Sequence, residues 1–217
     1  MNLCPNPGAE AGADGQPAGG WYVEGGTGIW ADDQVHSGKH SLKIVSTKPG
    51  PTTGWTSTII PTPPAGGQLV LSVWAKLSQV TGDNGAFIAL YHTDAEGVRI
   101  GQSGELTLGG VGQTVATTDW QQYVVVSRLI PEVKGVRVNL RLYGAIGTAW
   151  FDDVVVQVQD TKPLTAPRPL RRGLRMTEPG AATAPVASVA TAIRTATIHT
   201  VEQSLFLAPG FVSPAAP

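Results

Sequence analysis

Between residues 136 and 143 the apolar side chains Val136, Val138, Leu140 and Leu142 alternate with Arg137, Asn139, Arg141 and Tyr143. A strict two-residue period predicts a strand with one buried face, because neighbouring side chains on a strand point to opposite sides. The pattern recurs, with Leu69, Leu71, Val73 and Ala75 set against Val70, Ser72, Trp74 and Lys76. Ile88 and Leu90 stand against Phe87 and Tyr91, and Leu42 and Ile44 share a face upstream. Shorter β-like pieces lie at 21–23, 29–30, 55–60, 120–126 and 147–156, punctuated by turn chemistry such as Asp94-Ala95-Glu96-Gly97 and the cluster Pro61, Pro63, Pro64. No stretch carries a convincing helical period. Eight or nine strands separated by turns predict an all-β chain folded as a two-sheet sandwich. Abundant Gly (27) and Pro (17) and only 14% charged residues agree with a turn-rich β fold.

Composition divides the chain near Asp160. Residues 1–159 hold 9 Lys/Arg and 13 Asp/Glu, net −4, whereas 160–217 hold 6 and 3, net +3. Eight of the 17 prolines and none of the six tryptophans fall in the second part. The expectation is a sandwich domain over 1–159, a Pro-rich linker over 160–185 with Arg168, Arg171, Arg172 and Arg175, and an extended C-terminal arm over 186–217. Phe206, Leu207, Phe211 and Val212 have too few apolar neighbours to form a core of their own, so the arm stays disordered or docks on another surface or chain. A net charge of −1 gives no reason to expect nucleic acid. No apolar run reaches transmembrane length, so membrane insertion is not expected. No secretory leader opens the sequence. Cys4 is the sole cysteine, so the fold stands without an intrachain disulfide.

The pair Asp152-Asp153 interrupts an apolar strand, Trp150 to Val156. Strand alternation sends the two carboxylates to opposite faces, and one of them must meet a cation or hydrogen-bond donors. A metal ligand and an acceptor of backbone amides are both open readings. Asp153 is expected to be an ordinary surface acid.

Several pieces occur in an order that resembles carbohydrate-binding modules of families four, nine and twenty-two, jelly-roll sandwiches related to the galactose-binding-like fold. They are Asn2-Leu3 through Asn6 with Glu10, then Gly20-Trp21 and Gly38-Lys39-His40-Ser41-Leu42. Leu71-Ser72-Val73-Trp74-Ala75-Lys76, Asp119-Trp120-Gln121-Gln122-Tyr123 and Trp150-Phe151-Asp152-Asp153-Val154 follow. The family's aromatic before the N-terminal Glu is Ala9 here, which thins that corner of the core. The resemblance implies a jelly roll and a structural calcium held by the carboxylates of Glu10 and Asp152 and a backbone carbonyl near Lys39. The alternative is that Asp152 accepts amide bonds and Glu10 is solvated.

Sugar recognition in such modules uses a concave sheet face or a loop-built cleft. With Leu71, Val73, Ile88, Leu90, Val138 and Leu140 in the core, the opposite face shows Trp74, Tyr91, Gln122, Asn139, Arg141 and Tyr143. Aromatics, amides and a guanidinium suit a glycan, although a loop or neighbouring subunit packed over Trp74 would use the same residues. Trp21, Trp30 and Trp55 are expected to pack. His36, His40, His92 and His199 lack metal-ligand spacing, and neither a Ser elbow nor a phosphate-cradling Gly motif occurs. A non-catalytic protein is expected. The start, Asn-Leu-Cys-Pro-Asn-Pro-Gly-Ala-Glu, resembles minor tail proteins of phages of high-GC actinobacteria. That resemblance implies a bacteriophage virion structural or adhesion protein, assembled in the host cytoplasm. Its expected partners are other virion proteins or copies of itself through 160–217, and host-surface glycan. The alternative is a carbohydrate-binding module of a polysaccharide-degrading system, extracellular if a leader was removed.

Overall fold

A computed structural model of the protein describes residues 1–13, 15–17, 19–50, 53–62, 67–100 and 104–160. The linker and arm expected over 160–185 and 186–217 lie, beyond Asp160, outside the described residues. Thirteen strands occur among the described residues. In chain order they are β1 (Gly12–Ala13), β2 (Gln16–Pro17), β3 (Trp21–Glu24), β4 (Thr27–Ala31), β5 (Ser41–Ser46), β6 (Thr53–Ser57) and β7 (Ile60–Pro61). They continue as β8 (Gly67–Gly82), β9 (Ala86–Thr93), β10 (Gly104–Gly109), β11 (Gly112–Arg128), β12 (Gly135–Leu142) and β13 (Ala145–Asp160). Among the described residues no helix is long and apolar enough to cross a membrane.

Two antiparallel sheets face each other. A six-stranded sheet has the order β10-β9-β12-β6-β3, with β7 also pairing to β12, and a five-stranded sheet has the order β11-β8-β13-β5-β4. The chain crosses between sheets from β3 to β4, β5 to β6, β7 to β8, β8 to β9, β10 to β11, β11 to β12 and β12 to β13. This crossing makes the sandwich a jelly roll, because each inner apolar face can be buried only against the other.

The alternation that predicted β12 holds. Val136, Val138 and Leu140 are fully buried and Leu142 nearly so, facing Leu69, Leu71, Val73, Ala75 and Leu77 of β8. Each such aliphatic side chain contributes about 1.5–3 kcal/mol relative to exposure. Trp55 stitches the sheets together: it is 1% exposed, and its indole N–H donates to the Lys43 carbonyl at 2.9 Å. Trp21 and Trp30 pack as expected and tie down the N-terminal segment by donating to the carbonyls of Asn6 (3.1 Å) and Ala9 (2.6 Å). Beside the thinned corner at Ala9, Trp30 stacks on His40 at 3.9 Å.

The first residues run along the end of β13. The Leu3 amide donates to Val156 O and the Val154 amide to Pro7 O, both at 2.8 Å. An outer edge position tolerates Pro5 and Pro7, which lack donors. His92 lies buried at one end of the core against the Ser127 hydroxyl (2.8 Å), and burial lowers its pKa, keeping the ring neutral.

Candidate carbohydrate-binding face

Strand register assembles the outer face of the six-stranded sheet in two rows. One row reads Glu105, Ala89, Asn139, Thr56, Tyr22, and the next reads Thr107, Phe87, Arg141, Gly54, Glu24. Tyr91 pairs with Arg137 further along the same face. Ala89 and Gly54 keep the floor low. A Cβ on Gly54 would lie 2.0 Å from Leu140 O and 2.8 Å from Arg141 Cδ, so only glycine leaves room for the Arg141 side chain to fold across it.

Arg141 organises the centre. Although it lies on the outer face it is 3% exposed, because its neighbours close over it. Its guanidinium donates to Asn139 Oδ1 and Thr56 Oγ1, both at 2.6 Å, to the Glu24 carbonyl at 3.3 Å, and to the Glu24 carboxylate. This bond to Arg141 holds the Glu24 carboxyl below the usual carboxylate value, against burial that would raise it. Planar polar groups are therefore fixed across the middle of the face.

Aromatic rings bracket this network. At one end Phe87 and Tyr143 meet edge to face at 6.4 Å, with Tyr143 43% exposed. At the other end Tyr22 is 37% exposed and accepts a bond from Arg137, while the Arg99 guanidinium stacks 3.8 Å above the Tyr91 ring. The span from residue 137 to residue 143 of the chain is roughly 20 Å at ~3.3–3.4 Å per residue. The arrangement is a long, shallow, amphipathic strip.

Of the expected sugar-contacting residues, Tyr91, Asn139, Arg141 and Tyr143 share this strip. Trp74 and Gln122 do not. They pair with each other on β8 and β11, in the five-stranded sheet on the far side of the sandwich. Alternation within a strand settles which residues share a face but not which sheet the strand joins, and β8 and β9 belong to different sheets. Trp74 is also covered, since His36 stacks on it at 3.8 Å and Trp120 meets His36 edge-on at 5.7 Å. Tyr22, Glu24, Thr56 and Arg137 were not expected in the site. Arg137 was visible as the next outward residue of β12, whereas β3 and β6 reach the strip only through sheet register.

The acidic pair departs from expectation too. A bulge between Asp152 and Val155, with Asp153 at φ +46°, breaks the alternation. Asp accepts this left-handed conformation more readily than most residues. Both carboxylates consequently grip one loop. Asp152 Oδ2 accepts from the amides of His36 (2.9 Å) and Ser37 (3.1 Å), while Asp153 takes the His36 ring Nδ1 (2.7 Å) and the Ser37 hydroxyl (2.8 Å). Asp153 is thus a clasp residue, not a free surface acid. Burial raises the Asp152 pKa, opposed by the Ser37 and His36 amide bonds.

Glu10 completes that corner. Its Oε1 accepts from the amides of Lys39 (2.9 Å) and His40 (3.1 Å), so it is bonded and not merely solvated. Glu10, Lys39 and Asp152 do surround one loop, as the calcium expectation requires. Lys39, however, offers Glu10 its N–H, and the Asp152 oxygens are occupied by amides, Oδ1 accepting from Asp153 N at 2.7 Å. Among the described residues no group of three His, Cys, Asp or Glu side chains could hold a metal ion. As arranged, these oxygens accept amide bonds, which an ion at this corner would have to replace.

No protein-family model matches the sequence, and no curated protein matches it. Solved structures match the fold. The carbohydrate-binding module TmCBM61, solved with β-1,4-galactotriose, is 18% identical with a TM-score of 0.50, covering 73% of this chain and 99% of that one. The enzymatically active domain of tailspike protein 4 from bacteriophage CBA120 is 16% identical with a TM-score of 0.55, covering 73% of this chain but 22% of that one. An arabinose-bound MgGH51 α-L-arabinofuranosidase is 14% identical with a TM-score of 0.50, covering 72% and 27%. Two opposed antiparallel sheets, a clasped N-terminal segment and these neighbours give one answer: the described residues form a carbohydrate-binding-module-like jelly roll.

Proposed function

We propose that the protein is a non-catalytic glycan-binding protein whose ligand lies along the outer face of the six-stranded sheet. The observation that carries this reading is the fixed Arg141–Asn139–Thr56–Glu24 network bracketed by the exposed rings of Tyr22 and Tyr143. Flat rings stack on the apolar faces of sugars, and the buried Arg141, Asn139 and Thr56 hold the exposed Glu24 carboxylate in place to accept from sugar hydroxyls without further ordering at the moment of binding. The double substitution Tyr22→Ala/Tyr143→Ala should weaken binding to its soluble polysaccharide about tenfold or more, the loss expected of two exposed aromatic anchors. Melting should hardly change, since both rings are partly solvated. Affinity electrophoresis against a polysaccharide panel reads the effect, and a double variant that binds like the parent would sink the proposal.

The setting we propose is a bacteriophage virion, where the domain serves adhesion or particle architecture. The opening residues that resemble minor tail proteins support it, as does the Pro-rich, mildly basic composition after Asp160. A module of a polysaccharide-degrading system is the competing setting, supported by the fold likeness to TmCBM61. Light scattering on the full chain separates them. A defined oligomer is expected for the virion protein, and a monomer at all concentrations would remove the assembly role while leaving glycan binding intact. Calcium at Glu10, Lys39 and Asp152 is a separate proposal, one that would exchange amide bonds for ion–oxygen contacts.

A further inference from the structure

The outer side of the five-stranded sheet holds a second opening, a cleft of about 370 Å³ between the loop after β4 and strands β8, β11 and β13. Its lining includes Gln34, Lys76, Ser78, Thr118, Asp119 and Trp150. Sheet irregularities coincide with it. Against β8, β11 shifts register between Ala116 and Thr118 and again between Thr118 and Gln121, and β13 shifts between Ile146 and Thr148. Bulges re-aim side chains and interrupt pairing, and they gather beside binding sites.

The aromatic part of the lining is rigid, and its charged part is paired. The Trp150 indole N–H donates to Asp33 Oδ1 at 3.0 Å, the Lys43 ammonium sits 5.1 Å from its ring centre, and Lys43 is itself paired to Asp33 at 2.5 Å. The ring is thus locked by a charge pair beneath the loop. At the mouth Lys76 and Asp119 neutralise each other at 3.0 Å, with the Asp119 side chain 83% exposed. The Gln34 carboxamide makes no hydrogen bond to another described residue, whereas Gln34 O accepts from Ser41 Oγ at 2.6 Å and so anchors the loop that carries it.

We propose that this cleft is a second saccharide site that takes one or two neutral sugar rings. Charge is compensated within the lining, so it suits a neutral ligand. A carboxamide, two hydroxyls and an ion pair offer donors and acceptors for sugar hydroxyls, and the small exposed part of Trp150, 8% of the residue, gives an apolar contact for C–H groups. The volume lies at the low end of ligand pockets, about 300–1,000 Å³, room for one or two sugar rings. Because it opens on the opposite sheet from the Tyr22–Tyr143 strip, one domain would hold two glycan segments at once. The gain would appear as avidity on a dense surface. The site is independent of the strip and stands or falls separately from it.

The test is a titration of the ¹⁵N-labelled full chain with methyl β-D-galactopyranoside and, separately, methyl β-D-glucopyranoside. The amide signals of Gln34, Ser78 and Thr118 and the Trp150 indole signal should move with at least one of them, and should still move in the Tyr22→Ala/Tyr143→Ala background. Ser78→Arg, which fills the cleft, should abolish those shifts. If Ser78→Arg disturbs folding, Gln34→Ala serves instead and should weaken the titration about fivefold, the value of one hydrogen bond. If neither sugar moves these signals at millimolar concentration, or if Tyr22→Ala/Tyr143→Ala abolishes their shifts, the second site does not exist.

Discussion

Replacing Arg141 with methionine is expected to lower folding stability by roughly 3 kcal/mol, the lower end of the cost of breaking a buried ion pair. The guanidinium is 3% exposed, and its loss takes from Thr56 and Asn139, which are 2% and 1% exposed, the donor they share, leaving only the Thr56 hydroxyl to bond Asn139 Oδ1 at 3.2 Å. The lower end applies because the Glu24 side chain is 58% exposed and can turn to water. Chemical denaturation reads the effect directly, and a stability within about 0.5 kcal/mol of the parent, as for an ordinary surface change, would show that the network is not holding the sheet. Saccharide binding on the strip should fall with it, because the exposed Glu24 carboxylate would lose the donor that orients it. The acid limb carries a second signature. The Glu24 pKa is depressed in the folded state relative to its ordinary 4.5, so this pair contributes stability above that value and loses it as pH falls through the folded value. Arg141→Met should flatten that part of the pH profile.

Removing the Asp152 carboxylate should be about as damaging. Asp152→Ala leaves the amides of His36, Ser37 and Asp153 without an acceptor. Unsatisfied buried donors cost about 1–3 kcal/mol each, and loop amides that can reach water bring the expected total to roughly 2–4 kcal/mol. Hydrogen exchange should show the amides of residues 36 and 37 losing protection, and unchanged protection would mean that another group holds the loop. Asp152→Asn keeps one acceptor oxygen and should cost less. Its pH signature has the opposite sign to that of Glu24. Burial raises the folded pKa of Asp152 above the ordinary 3.8, so between the two values the folded state binds more protons. The contribution of this group to stability therefore falls as pH rises through that window, and Asp152→Asn should remove the slope. Thermal melting with and without the ion tests the calcium proposal. A higher melting temperature in excess calcium than in chelator would support an ion at this corner, and equal temperatures would end that proposal.

Much of the sandwich was legible along the chain because burial on one face imposes a two-residue period. The runs around Leu71, Ile88 and Leu140 each show which residues face inward, and each is buried as read. Four of the six residues expected to contact sugar reach the strip for the same reason, since they alternate with core positions on β9, on β12 and just past its end. The signal stops at the strand boundary. Trp74 and Gln122 have the correct parity but lie across the core, because the crossing from β8 to β9 is a property of the topology and leaves no mark in alternation. Tyr22 and Glu24 join Arg141 over more than a hundred residues of sequence, through the pairing of β3 with β6 and of β6 with β12.

The acidic pair marks the same divide. Its residues announced that something polar closes the last strand, and the loop beginning Gly38-Lys39 was already matched to it. A strand read by period two keeps Asp152 and Asp153 apart, yet the bulge turns both toward His36 and Ser37. One residue at φ +46° is enough, since a single left-handed step shifts the parity of everything after it: Phe151 and Val154 both face the core. Side-chain chemistry and periodicity, which are local, determined the strands and their inner faces, while the N-terminal clasp was legible only through the resemblance. Sheet membership, register and the bulge depend on which surfaces meet in space, and only the tertiary structure decided them.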